Sequence, residues 1–301
     1  MGRESLGTAL ALIAAIVSGF AIFANKIFIV DLDPTLFTAV RAMIIGLCFF
    51  LISSVQCRFD YGKFRKVPWK YLIVIGIVGG GIAFLLFFSG LNLTTGGRAA
   101  FLHKTLPLFV TVLAFIFLKE RVGKKQLVAL LLMFAGAVII FSATISPAEL
   151  WQAPLIGDSL IIIATLLWGI ENVLAKKAML LKETNFVVTF GRMFFGALFL
   201  FGALLLLGKA HLLFTLQIHQ LVNLLASTAI LFGFVLTYYW SLKHINVSKA
   251  SAMLLIAPVI TLILGISFLG EPAPLLQILG SAIILAGAAL ILKVRSEFQA
   301  V

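Results

Sequence analysis

The sequence predicts an all-α integral membrane protein in which ten transmembrane helices form two inverted five-helix repeats. Three observations lead to this fold class: an apolar composition, regularly spaced apolar runs, and an internal duplication. The chain of 301 residues is 62% hydrophobic and 11% charged, with a mean hydropathy of +1.17. Soluble domains carry about 25% charged residues, so this composition excludes a soluble protein.

Ten apolar runs follow one another along the chain, each close to the length of about 20 residues that crosses a bilayer. They are predicted at residues 6–29, 35–56, 70–91, 98–118, 124–142, 155–177, 185–207, 220–242, 249–269 and 274–293. A signal peptide is an alternative for the first run, because Arg3 precedes it and small residues follow it. A counterpart of this run at residues 159–178 favours a membrane helix.

The duplication relates the two halves of the chain at an offset of 151 residues. The stretch from Leu113, LAFIFLKERVGKKQLVALLLMFAGAVII, is repeated from Leu264 as LGISFLGEPAPLLQILGSAIILAGAALIL. The same offset pairs further residues: Pro107 with Pro258, Glu120 with Glu271, and Arg41 with Arg192. Residues 1–145 and 146–301 are therefore predicted to be two repeats of one membrane unit. Five helices per repeat is an odd number, so the second repeat is inverted, which is the architecture of secondary transporters.

The formal charge of +12 reflects membrane topology and does not indicate a nucleic-acid partner. With the N-terminus inside, most of the 23 basic residues fall in cytoplasmic segments, and the external loops hold only Arg98 and Lys209. This distribution predicts a multi-pass protein of the cytoplasmic membrane with both termini in the cytoplasm and the lipid bilayer around it.

Motifs for catalysis, metal binding or cofactor binding are absent from the sequence. There is no Gly-rich phosphate loop, no His-Glu-x-x-His and no nucleophile elbow. Cys48 and Cys57 suggest neither a disulfide framework nor a metal site. We therefore expect no enzyme activity and no cofactor.

Ionisable side chains within the predicted spans are candidate substrate-binding groups, because charges in lipid are costly unless they are used or paired. They are Arg41, His103, Lys104, Glu171 and Arg192. Alternatives stay open for each: the arginines can join helices or snorkel, and His103 with Lys104 can be a satisfied interior pair. Glu171 can serve proton coupling, or it can pair with a buried base and fix the packing.

Aromatic and amide side chains on neighbouring spans complete the predicted substrate site. Trp168 and Asn172 share the face of the sixth helix that carries Glu171. On the third and eighth helices, Phe87 and Phe88 match Tyr238 and Tyr239 at the repeat offset. These rings form either a ligand platform or a packing and interface belt.

Two prolines and a set of small residues have structural interpretations. Pro107 and Pro258 are predicted hinges of the fourth and ninth helices, with a tolerated kink as the alternative. Small residues at matched positions of the fifth and tenth helices, including Gly136 and Gly287, let backbones approach closely. They predict either that these helices pack together or that they form the contact of a homodimer.

Three segments carry a family resemblance: the fourth and fifth helices, their repeat, and TLLWGIENVLAKKA in the sixth. The chain resembles the drug/metabolite transporter superfamily, specifically its EamA-like ten-helix members. Leu118-Lys119-Glu120 and Leu269-Gly270-Glu271 carry the most specific part of the likeness, and Ser18-Gly19 departs from the Trp-Gly that is present at Trp168-Gly169.

The resemblance implies alternating-access transport of a small metabolite, most often export of an amino acid or related compound. A flippase for a lipid-linked group and a scaffold subunit that does not transport are the alternatives. A scaffold would not need the costly intramembrane charges.

Overall fold

Ten helices of the computed structural model are long and apolar enough to cross a membrane. The structure describes residues 2–28, 32–56, 67–143, 145, 153, 155–181 and 184–295. Within these ranges the membrane helices are α1 Arg3–Phe28, α2 Pro34–Gln56, α3 Trp69–Leu91, α4 Gly96–Leu118, α5 Lys124–Ser142, α6 Ile156–Leu180, α7 Asn185–Leu206, α8 Ile218–Leu242, α9 Val247–Leu269 and α10 Leu275–Leu292. The all-α fold class and the ten predicted spans are confirmed.

Contacts between helices follow the inverted repeat. The helix α1 of the first repeat packs against α8 and α9 of the second repeat. Its counterpart α6 packs in the same way against α3 and α4 of the first repeat. The helix α2 packs against its own counterpart α7, and α5 packs against α10. Exchanging the two halves leaves this pattern unchanged. The two inverted five-helix repeats therefore form a single bundle with its core along their interface.

Glycines bring α5 and α10 into direct backbone contact. A Cβ atom added to Gly136 would lie 2.6 Å from the carbonyl oxygen of Gly280, and one added to Gly280 would lie 2.6 Å from that of Gly136. Small residues in lipid allow this approach, which larger side chains prevent. These two helices thus pack together within one chain.

The middle of α3 is widened into a π-helical segment, Gly76–Ile82, and this segment contains three consecutive glycines. A Cβ atom on Gly80 would lie 2.5 Å from the backbone oxygen of Arg192 on α7, and one on Gly79 would overlap the side chain of Glu171 on α6. The absence of side chains here lets α3 approach both helices. Single π-helical turns inside α-helices are frequent at functional sites.

Both α4 and α9 are interrupted at matched positions. The first segment of α4 ends at His103 and the second runs over Leu106–Leu118, whereas α9 passes through a 3₁₀ turn at Leu254–Ile256. Pro107 and Pro258 lie in the first turn of each second segment, where proline is tolerated because that N–H has no partner. Each helix therefore breaks just before its proline, at the matched positions of the two predicted hinges. A hinge function stays a prediction.

Candidate functional site

A cavity of about 330 Å³ lies at the interface of the two halves, a volume suited to a small ligand. Its walls come from α1, α2, α3, α4, α6, α7, α8 and α9. Ten of the eleven predicted substrate-binding residues line it: Phe87, Phe88, His103, Lys104, Trp168, Glu171, Asn172, Arg192, Tyr238 and Tyr239. Their contact with a substrate stays a prediction.

Glu171 is the centre of a polar network in the cavity wall, and its side chain is only 1% exposed. Its Oε2 atom lies 3.4 Å from Nε of Arg192 and 3.4 Å from Nδ2 of Asn172. The hydroxyl of Tyr239 donates a hydrogen bond to Oε1. The carboxylate is thus compensated by protein groups, as the packing alternative for Glu171 predicts.

The amide of Asn172 joins α6 to α8. Its Oδ1 atom accepts a 2.6 Å hydrogen bond from the hydroxyl of Tyr238, and its Nδ2 atom donates to the carbonyl oxygen of Trp168 at 2.8 Å. The Tyr238 ring in turn stacks on Phe234, with centroids 5.6 Å apart. Both polar atoms of the amide are therefore engaged within the protein.

Trp168 anchors the aromatic wall of the cavity. Its indole Nε1 donates a 2.8 Å hydrogen bond to the carbonyl oxygen of Gly79 in the π-helical segment. The ring centroid lies 4.9 Å from that of His103 and 5.4 Å from that of Phe87, and Phe88 packs 5.9 Å from Phe87. Rings that face a cavity in this way can form a platform for a ligand.

Lys104 lines the cavity at the break in α4. No carboxylate of the described residues lies within 4.0 Å of its ammonium group. The neighbouring His103 has a buried Nδ1 atom with no hydrogen-bond partner. Nor do these residues form a metal site, since the described part of the chain has no cluster of three or more His, Cys, Asp or Glu that could hold an ion.

Arg41 and Pro258 are the two predicted residues that do not line the cavity. Arg41 is 7% exposed, and its guanidinium carbon lies 4.4 Å from the centroid of the Phe37 ring one turn earlier on α2. This cation–π contact holds the side chain along its own helix. Thr38 of α2 reaches the cavity in its place, and Leu255 does so beside Pro258.

The π-helical segment of α3 was not among the predicted site residues. Gly80 lines the cavity, and Gly79 supplies the carbonyl oxygen that orients Trp168. Three consecutive glycines within an apolar span were the available signal, because glycine there allows close backbone approach. Thr38 and Ala42 of α2 and Met193 of α7 also line the cavity, and their position depends on how the two repeats pack, which no local pattern reports.

Known transporters are similar to this chain over nearly its whole length. A model of the EamA-like transporter family matches residues 5–142 and 155–293. The uncharacterized transporter YoaV of Bacillus subtilis (strain 168) is 29% identical over 279 residues, which cover 90% of this chain and 91% of YoaV. A probable amino-acid metabolite efflux pump of Salmonella typhimurium (strain LT2) is 24% identical over 92% of each chain. One crystal structure superposes with a TM-score of 0.74 over 96% of this chain and 97% of its own at 18% identity, a likeness of fold alone.

Proposed function

The chain belongs to the EamA-like transporter family, and we propose that it exports an amino acid or a related small metabolite across the cytoplasmic membrane by alternating access. Family membership makes the protein a multi-pass membrane transporter and not an enzyme. The relative named as a probable amino-acid metabolite efflux pump supports this substrate class and this direction. The observation that carries the proposal is the cavity between the inverted repeats, with walls from both halves.

Contacts between α4 and α9 close one end of the bundle. Glu120, just after α4, accepts hydrogen bonds from the backbone nitrogen of Val247 at 2.9 Å and the hydroxyl of Ser248 at 2.8 Å. Gln126 on α5 donates to the same hydroxyl at 3.0 Å. A carboxylate is favourable at a helix N-terminus because it pairs with backbone N–H groups that otherwise lack partners. These contacts, and the buried segment Val247–Met253, support a closed state at this end.

The repeat-related end of the bundle lacks the corresponding contact between α4 and α9. Thr95 and Gly96 at the start of α4 are exposed, and a Cβ atom added to Gly96 would meet nothing within 4 Å. The segment Gly96–His103 makes no contact with the second segment of α9 comparable to the one that closes the other end. A cavity with α4 and α9 in contact at one end and apart at the other suits one state of an alternating-access carrier. In the other state, the contact between α4 and α9 at the closed end would open and the corresponding contact at the opposite end would form.

A comparison of cells that make the protein with cells that lack it tests the proposal. We expect the producing cells to release a small set of amino acids or related metabolites, detected by mass spectrometry of the medium. Identical release profiles would contradict the proposal, and a change confined to lipid-linked compounds would favour the flippase alternative.

A cysteine variant tests whether the metabolite passes through the cavity. Ser18 lines the cavity, whereas Leu51 on α2 is 60% exposed on the outer surface of the bundle. In a chain with both native cysteines changed to serine, a charged thiol reagent should block release through Ser18→Cys and leave Leu51→Cys active. Equal sensitivity of the two variants would contradict transport through this cavity.

A further inference from the structure

We infer that the substrate is a small monoanion, a carboxylate with an apolar or aromatic tail and no ammonium group, whose carboxylate binds Lys104. This inference rests on the proposed function and names the substrate class more narrowly.

The charge of the cavity wall is the first argument. Its ionisable lining includes two cations, Lys104 and Arg192, and one carboxylate, Glu171. Arg192 pairs with Glu171, which also accepts hydrogen bonds from Tyr239 and Asn172. Lys104 therefore supplies one positive charge that no carboxylate of the described lining balances. A charge within a membrane protein is expensive unless it is paired, so a ligand of single negative charge is the complement.

The lack of a free carboxylate for an ammonium group in the described lining is the second argument. Glu171 is the single carboxylate in the described lining and is already in contact with three protein groups. The amide oxygen of Asn172 accepts from Tyr238. An ammonium group taken from water into this site would lose its hydration without a charged partner, and this costs free energy. A zwitterionic amino acid is thus a poorer fit than the same skeleton without the ammonium.

The residues around Lys104 indicate the size and the polarity of the rest of the ligand. His103 lines the cavity next to Lys104, so its imidazole can contribute a second hydrogen bond to a carboxylate or an adjacent hydroxyl. The rings of Trp168 and Phe87 lie 4.9 Å and 5.8 Å from the His103 ring. An apolar or aromatic tail can pack on these rings, and a cavity of about 330 Å³ limits the ligand to a small molecule.

Three probes that share a phenylethyl group test the head group: 3-phenyllactate, phenylalanine and phenethylamine. The first two differ by a hydroxyl in place of the ammonium, and the third carries the ammonium without the carboxylate. Calorimetric titration of the purified full-length protein in detergent should show 3-phenyllactate binding at least about tenfold more tightly than phenylalanine, as a charge-assisted contact predicts. Phenethylamine should not bind. Equal or tighter binding of phenylalanine, or no binding of any probe, would overturn the inference.

Substitution of Lys104 tests the proposed contact. Lys104→Met removes the charge at similar length, and the matched control Lys124→Met removes an exposed lysine at the start of α5. We expect Lys104→Met to lose the preference for 3-phenyllactate and Lys124→Met to keep it. If Lys104→Met does not fold, Lys104→Gln makes the same test with a polar side chain. A preference that persists without the Lys104 charge would exclude this residue as the anion-binding group.

Efflux measurements separate the failure of this inference from failure of the proposed function. A protein that releases phenylalanine from cells without binding 3-phenyllactate would retain the proposed function and lose the anion inference. A protein whose production changes no release profile would lose the proposed function itself.

Discussion

Glu171 on α6 and Arg192 on α7 form an ion pair in the cavity wall, with Oε2 of the carboxylate 3.4 Å from Nε of the guanidinium. Tyr239 on α8 donates a hydrogen bond to the same carboxylate. Three helices of the second repeat therefore meet at one buried acid. Neither charge would be stable at this depth without the other, because each compensates the desolvation of its partner.

Glu171→Gln should destabilise the protein, because it leaves Arg192 buried without a carboxylate. Removing one member of a buried pair costs about 3–5 kcal/mol in the free energy of unfolding. Thermal unfolding in detergent measures this loss, and the double variant Glu171→Gln/Arg192→Met should recover most of it because it removes both charges. Separately, a Glu171→Gln protein that stays stable but whose transport no longer depends on pH would identify Glu171 as a proton-coupling group.

Glu120→Ala should weaken the closed end of the bundle, because it removes the acceptor at the N-terminus of α9. The loss of such a helix cap costs about 1–2 kcal/mol, so the open population should rise about five- to thirtyfold. Labelling of Ser251→Cys, a buried position on α9, measures this opening. Glu271→Ala, the repeat-related variant, is the control and should not increase labelling there; an equal increase would show that Glu120 does not act locally.

Gly80→Ala should destabilise the protein, because the new Cβ would lie 2.5 Å from the backbone oxygen of Arg192. Backbone atoms cannot move aside as a flexible side chain can, so we expect a loss of about 1–3 kcal/mol. Gly202→Ala is the matched control on α7, where a Cβ would meet nothing within 4 Å. It should gain about 0.5–1 kcal/mol from helix propensity. Equal effects of the two substitutions on thermal unfolding would contradict close packing at Gly80.

Membrane orientation is testable at two exposed positions. The positive-inside distribution predicts that Lys124, at the start of α5, is cytoplasmic and that Thr215, between α7 and α8, is external. In a chain without its native cysteines, an impermeant thiol reagent should label Thr215→Cys in intact cells and Lys124→Cys only after lysis. The reverse pattern would place both termini outside.

Helix number and repeat symmetry are predictable because the length of an apolar span and a sequence repeat are local properties of the chain. The positions of the helix breaks in α4 and α9 also follow from matched prolines, although the breaks precede Pro107 and Pro258. The cavity lining is largely predictable because ionisable side chains are rare in apolar spans and mark the protein interior.

The partner of Glu171 is not predictable in the same way, because Arg41, Lys104 and Arg192 are equally plausible partners from the sequence. Arg41 and Arg192 are related by the repeat, but only Arg192 reaches the cavity. Arg41 stacks on Phe37 one turn earlier, whereas the repeat offset places Val188 in the corresponding position before Arg192. An aliphatic side chain offers no cation–π contact, and Arg192 is free to pair with Glu171.

The difference between Lys104 and its repeat counterpart Leu255 determines how a ligand can lie in the cavity. Two inverted halves with identical side chains would accept an elongated ligand in two opposite directions of equal free energy. A lysine on α4 opposite a leucine on α9 removes this degeneracy, because a polar head group gains a partner in one direction only. We therefore expect the substrate to keep one polarity relative to the membrane throughout the transport cycle, entering and leaving with its head group held by the first repeat.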